Sequence, residues 1–124
     1  MKRKPKSDRK KLEAELDKVC SMLVIHRDGL CQKCGSSKAL AAHHAFGRRH
    51  MSVRWDLDNL VALCWPCHKH FAHGDPLGFA TWYCEKIGMG TYEKLTMRAR
   101  AICKRTEFDL AYLLSERKSA LKGI

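Results

Sequence analysis

Residues 31–74, CQKCGSSKALAAHHAFGRRHMSVRWDLDNLVALCWPCHKHFAHG, decide how this chain folds. Helical periodicity is absent from the stretch, and cysteine, histidine, glycine and arginine dominate where a core element would carry apolar residues. Its frame is a pair of knuckles, Cys31-Gln32-Lys33-Cys34 and Cys64-Trp65-Pro66-Cys67, about thirty residues apart and each set in turn-forming sequence, with Gly35 directly behind the first. Four thiolates at this spacing can close a tetrahedral zinc site. With sulfur in all four positions, no water or substrate can reach the ion, so such a zinc holds the fold and takes no part in chemistry. A redox pair would need only one knuckle and a helix N-terminus to lower a thiol pKa.

A staple of this kind suits the chain's size. At 124 residues it has the length of one domain, and a chain this short buries a modest fraction of its surface unaided. The cysteines number seven, an odd count, and no apolar run is long enough for a signal peptide or a membrane span. A reducing cytoplasmic location is therefore expected, which favours metal binding over disulfides. The three remaining cysteines, Cys20, Cys84 and Cys103, lie near apolar helical positions and read as small buried residues. Lys and Arg number 24 against 13 Asp and Glu, a formal charge of +11, and a polyanionic partner follows from that surplus.

On the N-terminal side, residues 1–11 hold Lys2, Arg3, Lys4, Lys6, Arg9, Lys10 and Lys11 against the single acid Asp8, and read as a mobile basic arm able to grip phosphates. Residues 12–29 read as an amphipathic helix carrying Leu12, Leu16, Val19, Leu23 and Val24, with Ser7 or Asp8 as N-cap and Gly29 as its stop. On the C-terminal side, 75–124 is helical again, within one compact domain overall. Asp75 and Pro76 open a helix bearing Leu77, Phe79, Ala80, Trp82, Tyr83 and Ile87 and closed by Gly88. A second helix after Thr91 would bury Tyr92, Leu95, Ala99 and Ile102. The stretch Thr106-Glu107-Phe108-Asp109 reads as a capping box opening a third, with Leu110, Leu113, Leu114 and Leu121 inward. These stripes are core faces and carry no chemistry.

Between the knuckles lie His43 and His44, then a loop with Arg48, Arg49, His50 and Arg54, then Asn59; the second knuckle runs straight into His68. Neighbours on an extended segment point to opposite sides, so one histidine can face a metal while the other faces substrate. Neutral imidazole is a good ligand, and its pKa near neutrality suits a general base.

His43-His44, Asn59 and His68, threaded through two Cys-x-x-Cys knuckles, resemble the HNH endonuclease family with its ββα-metal fold. The fifteen-residue step from His44 to Asn59 and the nine-residue step from Asn59 to His68 are similar to those of the nuclease colicins. The knuckles resemble those of zinc-bearing phage members, and Arg54-Trp55-Asp56 with the Cys-His segment resembles the phage recombination endonucleases of the NinG (Rap) kind. The resemblance implies an α+β fold: a small ββα-metal nuclease core over 30–74 with its four-cysteine zinc site, flanked by the N-terminal helix and the C-terminal helices. It also implies that His43 is the first ligand of a catalytic metal, His44 the general base, His68 a second ligand, and Asn59 the residue that orients the His44 loop. A side-chain amide suits that role because it can bond backbone on both its donor and its acceptor sides.

One departure concerns the third ligand. Family members often place it four residues after the second, which here is Ala72. His73 and His70 are the candidates, yet on an ideal helix five residues advance by about 140 degrees and two by about 200, so neither shares a face with His68. A helix ending near Gly74 could swing His73 round to the metal, which makes His73 the preferred candidate over His70. His26 reads as structural and His50 as a phosphate contact. The implied reaction is hydrolysis of a DNA phosphodiester with Mg²⁺ or Mn²⁺, although imidazoles bind Ni²⁺ or Zn²⁺ more tightly. Arg48, Arg49 and Arg54, with Lys2, Arg3 and Lys4, would position phosphates of double-stranded or branched DNA without reading sequence. A non-catalytic zinc module that binds nucleic acid also explains the charge and the cysteines, but leaves His43, His44, Asn59 and His68 as coincidence.

Overall fold

The computed structural model describes residues 5–124. Ser7 accepts a hydrogen bond from the Lys10 N–H at 3.3 Å and starts helix α1, Asp8–Asp28, which Gly29 ends at a φ of +72°. Asp8, Arg9, Lys10 and Lys11 thus belong to the helix and not to the arm expected over 1–11, because the cap lies at Ser7. Lys2, Arg3 and Lys4 lie outside the described residues. The buried stripe of α1 is Leu16, Val19, Cys20, Leu23 and Val24.

Two short strands follow, β1 (Ala41–His44) and β2 (Leu60–Leu63), paired antiparallel with His43 opposite Val61 and His44 opposite Leu60. Every residue of β2 is buried, because the strand divides two cores. Alternation sends Leu60 and Ala62 to one side, among Leu16, Val24, Trp55, Leu110 and Leu114, and sends Val61 and Leu63 to the other, among Phe79, Tyr83, Leu95 and Ala99. The outer edge of β2 is closed without a third strand: the Ala62 N–H donates to Asp28 Oδ2 at 2.9 Å, and the Ala62 carbonyl accepts from the Gln32 N–H at 3.0 Å.

After β2 the chain winds as a π-helix over Cys67–His73 and then enters α2 (Pro76–Ile87), α3 (Met89–Arg100) and α4 (Glu107–Lys122). Asp75 caps α2 through the Gly78 N–H, with Pro76 at the first helical position. Gly88, at φ +91°, turns the chain so sharply that α3 begins at Met89 and not after Thr91. It also ends at Arg100, so Ile102, expected in the core, is 92% exposed. Leu77 is likewise exposed, and Tyr92 and Trp82 are half-buried. The capping box forms: Thr106 Oγ1 accepts from the Asp109 N–H at 3.1 Å while Asp109 Oδ2 accepts from the Thr106 N–H at 2.8 Å. Helix α4 lies along α1 with Leu110 and Leu114 buried and Leu113 and Leu121 at the margin. Of the three spare cysteines only Cys20 is buried; Cys84 and Cys103 are half-buried, their side chains being turned partly to solvent. Among the described residues no helix is long and apolar enough to cross a membrane.

Candidate active site and metal centres

The first knuckle is a tight turn in which the Gly35 N–H reaches the Cys31 carbonyl at 2.8 Å with Gly35 at φ +82°, and the Cys34 N–H points at Cys31 Sγ, 3.5 Å away. Cys64 follows β2 directly and Cys67 opens the π-helix. The four sulfurs lie within 4.8 Å of one another, with Cys34 and Cys64 Sγ 3.5 Å apart. A tetrahedron with Zn–S bonds of about 2.3 Å has edges of about 3.8 Å, so the four thiols could hold a zinc ion with little adjustment. Burial raises the Cys31 pKa, but the backbone amides of Cys34, Cys64 and Lys33 outweigh it and bring the thiol down to about 6. Burial and the neighbouring thiols push Cys67 up instead. Thiols crowded like this cannot all ionise unless a cation joins them.

The second cluster is made of imidazoles. His43 from β1 meets His68 and His73 from the π-helix, with one ring nitrogen of each within 4.8 Å of the others and the Nε2 atoms of His68 and His73 3.1 Å apart. The winding makes this possible. In a π-helix the hydrogen bonds run from i to i+5, so the wider turn brings residue 73 round toward the side of residue 68, and the two rings meet. The swing at the helix end that the sequence suggested is therefore not the device; the wider winding is. His70 lies away from the cluster with its ring beside Trp65. Burial, reinforced by His68 and His73, lowers the His43 pKa to about 3, and burial followed by His73 lowers that of His68. Neutral rings keep their lone pairs, so the trio could hold a divalent ion. Phe79 backs His43 edge-on at 4.7 Å between centroids.

His44 faces the other side of β1, and its Nε2 lies 3.0 Å from the Arg54 carbonyl. A carbonyl only accepts, so Nε2 carries the hydrogen and Nδ1 keeps its lone pair. Burial, helped by Arg48 and opposed by the Arg54 carbonyl, lowers the His44 pKa. Asn59, fully buried, spans the loop between the strands: its Oδ1 accepts from the Phe46 N–H at 2.7 Å, and its Nδ2 donates to the carbonyls of Phe46 at 2.9 Å and Val53 at 3.0 Å. The Ala45 N–H adds a bond to the Asn59 carbonyl at 2.8 Å, so the backbone just beyond His44 is fixed on both sides. His43, His44, His68, His73 and Arg48 line one open groove of about 410 Å³.

Compared with known families, residues 31–73 match the model of the HNH endonuclease family. Over that stretch the chain is similar to an HNH domain. The match covers about a third of the chain, and comparisons with curated proteins and with solved structures returned no match.

The matched stretch leans on residues outside itself. Arg54 forms a bidentate pair with Asp17 of α1, Nε to Oδ1 at 3.1 Å and Nη2 to Oδ2 at 2.7 Å, and Trp55 Nε1 donates to the same carboxylate at 2.9 Å. Arg117 of α4 donates to the Trp55 carbonyl at 3.0 Å, and Arg105 to the Met51 carbonyl at 2.6 Å. The guanidinium of Arg54, expected on a phosphate, is thus engaged inside the protein, where it holds the carbonyl that orients His44. Sequence reasoning missed Asp17, Arg105 and Arg117. The one available signal was an acid beside the core position Leu16. Arg48 and Arg49 are exposed on the loop, as a phosphate contact requires; His50 is half-buried against Phe46. His26 is exposed near the end of α1 and has no core role.

Proposed function

We propose that the chain is a metal-dependent DNA endonuclease that hydrolyses phosphodiester bonds. The observation that supports this most directly is the placement of two chemically different histidine sites on one groove: an imidazole trio at His43, His68 and His73, and beside it His44 with its Nδ1 lone pair free. His43, His68 and His73 would hold a divalent ion, which when bound would supply positive charge to stabilise the charge developing at phosphorus and on the leaving oxygen. His44 Nδ1 takes a proton from water, whose oxygen then bonds to phosphorus as the phosphodiester P–O bond breaks. Arg48 and Arg49 hold the flanking phosphates. Asn59 positions the loop, and Arg54 serves through its carbonyl. Mg²⁺ or Mn²⁺ suits turnover, and Zn²⁺ is the ion for the four cysteines. The narrower assignment to a phage enzyme of recombination, DNA processing or packaging, acting in the host cytoplasm, rests on the resemblance of the knuckles and of Arg54-Trp55-Asp56 alone.

The test is nicking of supercoiled plasmid by the full chain in Mg²⁺ or Mn²⁺, with His43→Ala and His44→Ala beside it. The His43→Ala protein loses a ligand, so its activity should recover in part as metal is raised. The His44→Ala protein loses the base, so cleavage should fall by about two to four orders of magnitude and more metal should not restore it. No metal-dependent nicking by the wild type would remove the nuclease reading; equal nicking by His44→Ala would remove the base.

A further inference from the structure

Trp65 stands between two cysteines of the zinc cluster and is 52% exposed, although tryptophan is the side chain with the most apolar surface to hide. Lys69 Nζ lies 4.8 Å from the ring centroid, and the His70 ring sits at 6.2 Å, tilted by 39°. With Ala39, Ala41 and Lys69 it forms a recess of about 280 Å³ whose remaining walls are His68 and His73, two of the three clustered imidazoles. A rigid aromatic face, a mobile ammonium and an apolar floor therefore open beside the place where the reacting phosphate would sit. Other exposed apolar side chains, such as Leu77, Met97 and Ile102, touch no such site.

We infer that Trp65 is a base-stacking residue and that the strand crossing the histidine site lays an unpaired nucleobase against it, with Lys69 drawn to the adjoining phosphate. The inference rests on the nuclease reading for the identity of the polyanion. It adds the substrate class, because a paired duplex shows only base edges in its grooves and hides the base faces in the stack. A flat aromatic beside the site is usable by a single strand, a flap or a frayed junction. Every nucleobase has a π-face, so the contact selects for unpaired DNA and not for a sequence. The zinc knuckle favours such a contact, because Cys64 and Cys67 on either side would fix the indole's backbone, and little ordering entropy is lost when a base docks.

The test is equilibrium binding by fluorescence anisotropy in Mg²⁺-free buffer without chelator, using a short labelled single strand, the blunt duplex made from it, and that duplex with a single-stranded tail. Trp65→Ala should weaken binding of the single strand and the tailed duplex by about five- to a hundredfold while changing blunt-duplex affinity by less than about twofold, and Trp65→Phe should keep most of the preference. Equal losses on all three ligands, or no loss on any, would overturn the inference. Should Trp65→Ala lose its zinc or its fold, Trp65→Leu keeps apolar bulk without a π-face; it should show the same selective loss, and wild-type binding by it would overturn the inference. Plasmid nicking reports separately on the nuclease reading, so failure there and failure here are distinct results.

Discussion

Asp17 is the residue whose role the chain hides best. Its carboxylate accepts three bonds, two from Arg54 and one from Trp55, and through them α1 grips the loop that carries the His44 partner carbonyl. Burial raises its pKa, but the hydrogen bond and charge of Arg54 and the indole N–H outweigh that, and the value falls below the ordinary 3.8. The Asp17 hydrogen bond likewise raises the Arg54 guanidinium above its ordinary value. The sign follows: the carboxylate's contribution to stability is present above 3.8 and is lost as pH falls through the lower folded value, while the guanidinium's is present throughout the neutral and mildly alkaline range. Asp17→Asn should therefore destabilise the chain by about 2 kcal/mol, since it breaks charge-assisted bonds and strands Arg54, and the deficit should stay flat from about pH 6 to about pH 9. Urea unfolding across that range checks it. A deficit that changed within the window would place its cause on the histidines or thiols instead. No local pattern could have announced this pair, because its members are 37 residues apart.

At the scale of elements, most helix ends were legible, while both ends of α3 and the winding after Cys64 were not. Ser7, Gly29, Asp75-Pro76, Gly88 and Thr106 are punctuation that acts within one turn of the backbone, so a linear reading finds them. The Cys67–His73 segment is different. It winds as a π-helix, and a reading built on 3.6 residues per turn places residue 72, not 73, above His68. The same period cannot choose firmly between His70 and His73, since it puts neither on the His68 face. Moving the histidine tests the geometry: in His73→Ala with Ala72→His, an α-helical segment would restore the trio, whereas the π-wound one should not, because Ala72 points into the core at 4% exposure. Cobalt absorption titrations should show the double variant binding the ion no better than His73→Ala alone. Recovery of wild-type affinity would mean that the segment winds as an ordinary helix in solution.

Across the whole molecule the thiol and imidazole clusters sit in different surroundings, which makes a sharp contrast measurable. The thiol cluster joins the 31–34 turn to the junction of β2 and the π-helix, and Cys31 and Cys64 belong to the core that holds Phe79, Tyr83 and Leu95. The imidazole cluster opens on the groove and ties down only its own three rings. A structural zinc site contributes about 10–16 kcal/mol to folding, against a total stability of about 5–15 kcal/mol for a typical domain. The first number equals or exceeds the second, so losing the thiol site should unfold the chain and not merely weaken it. Losing the half-buried His68 imidazole leaves the core contacts in place and should cost about 1 kcal/mol or less. The expected outcome is that His68→Ala carries close to one zinc per chain by elemental analysis and melts near the wild-type temperature, while Cys34→Ser, or the wild type treated with a strong chelator, loses its helical circular-dichroism signal and cooperative melt. A zinc-free chain that melts like the wild type would show that the cysteines hold no structural ion, and a collapse of His68→Ala equal to that of Cys34→Ser would show that the two clusters are one structural unit.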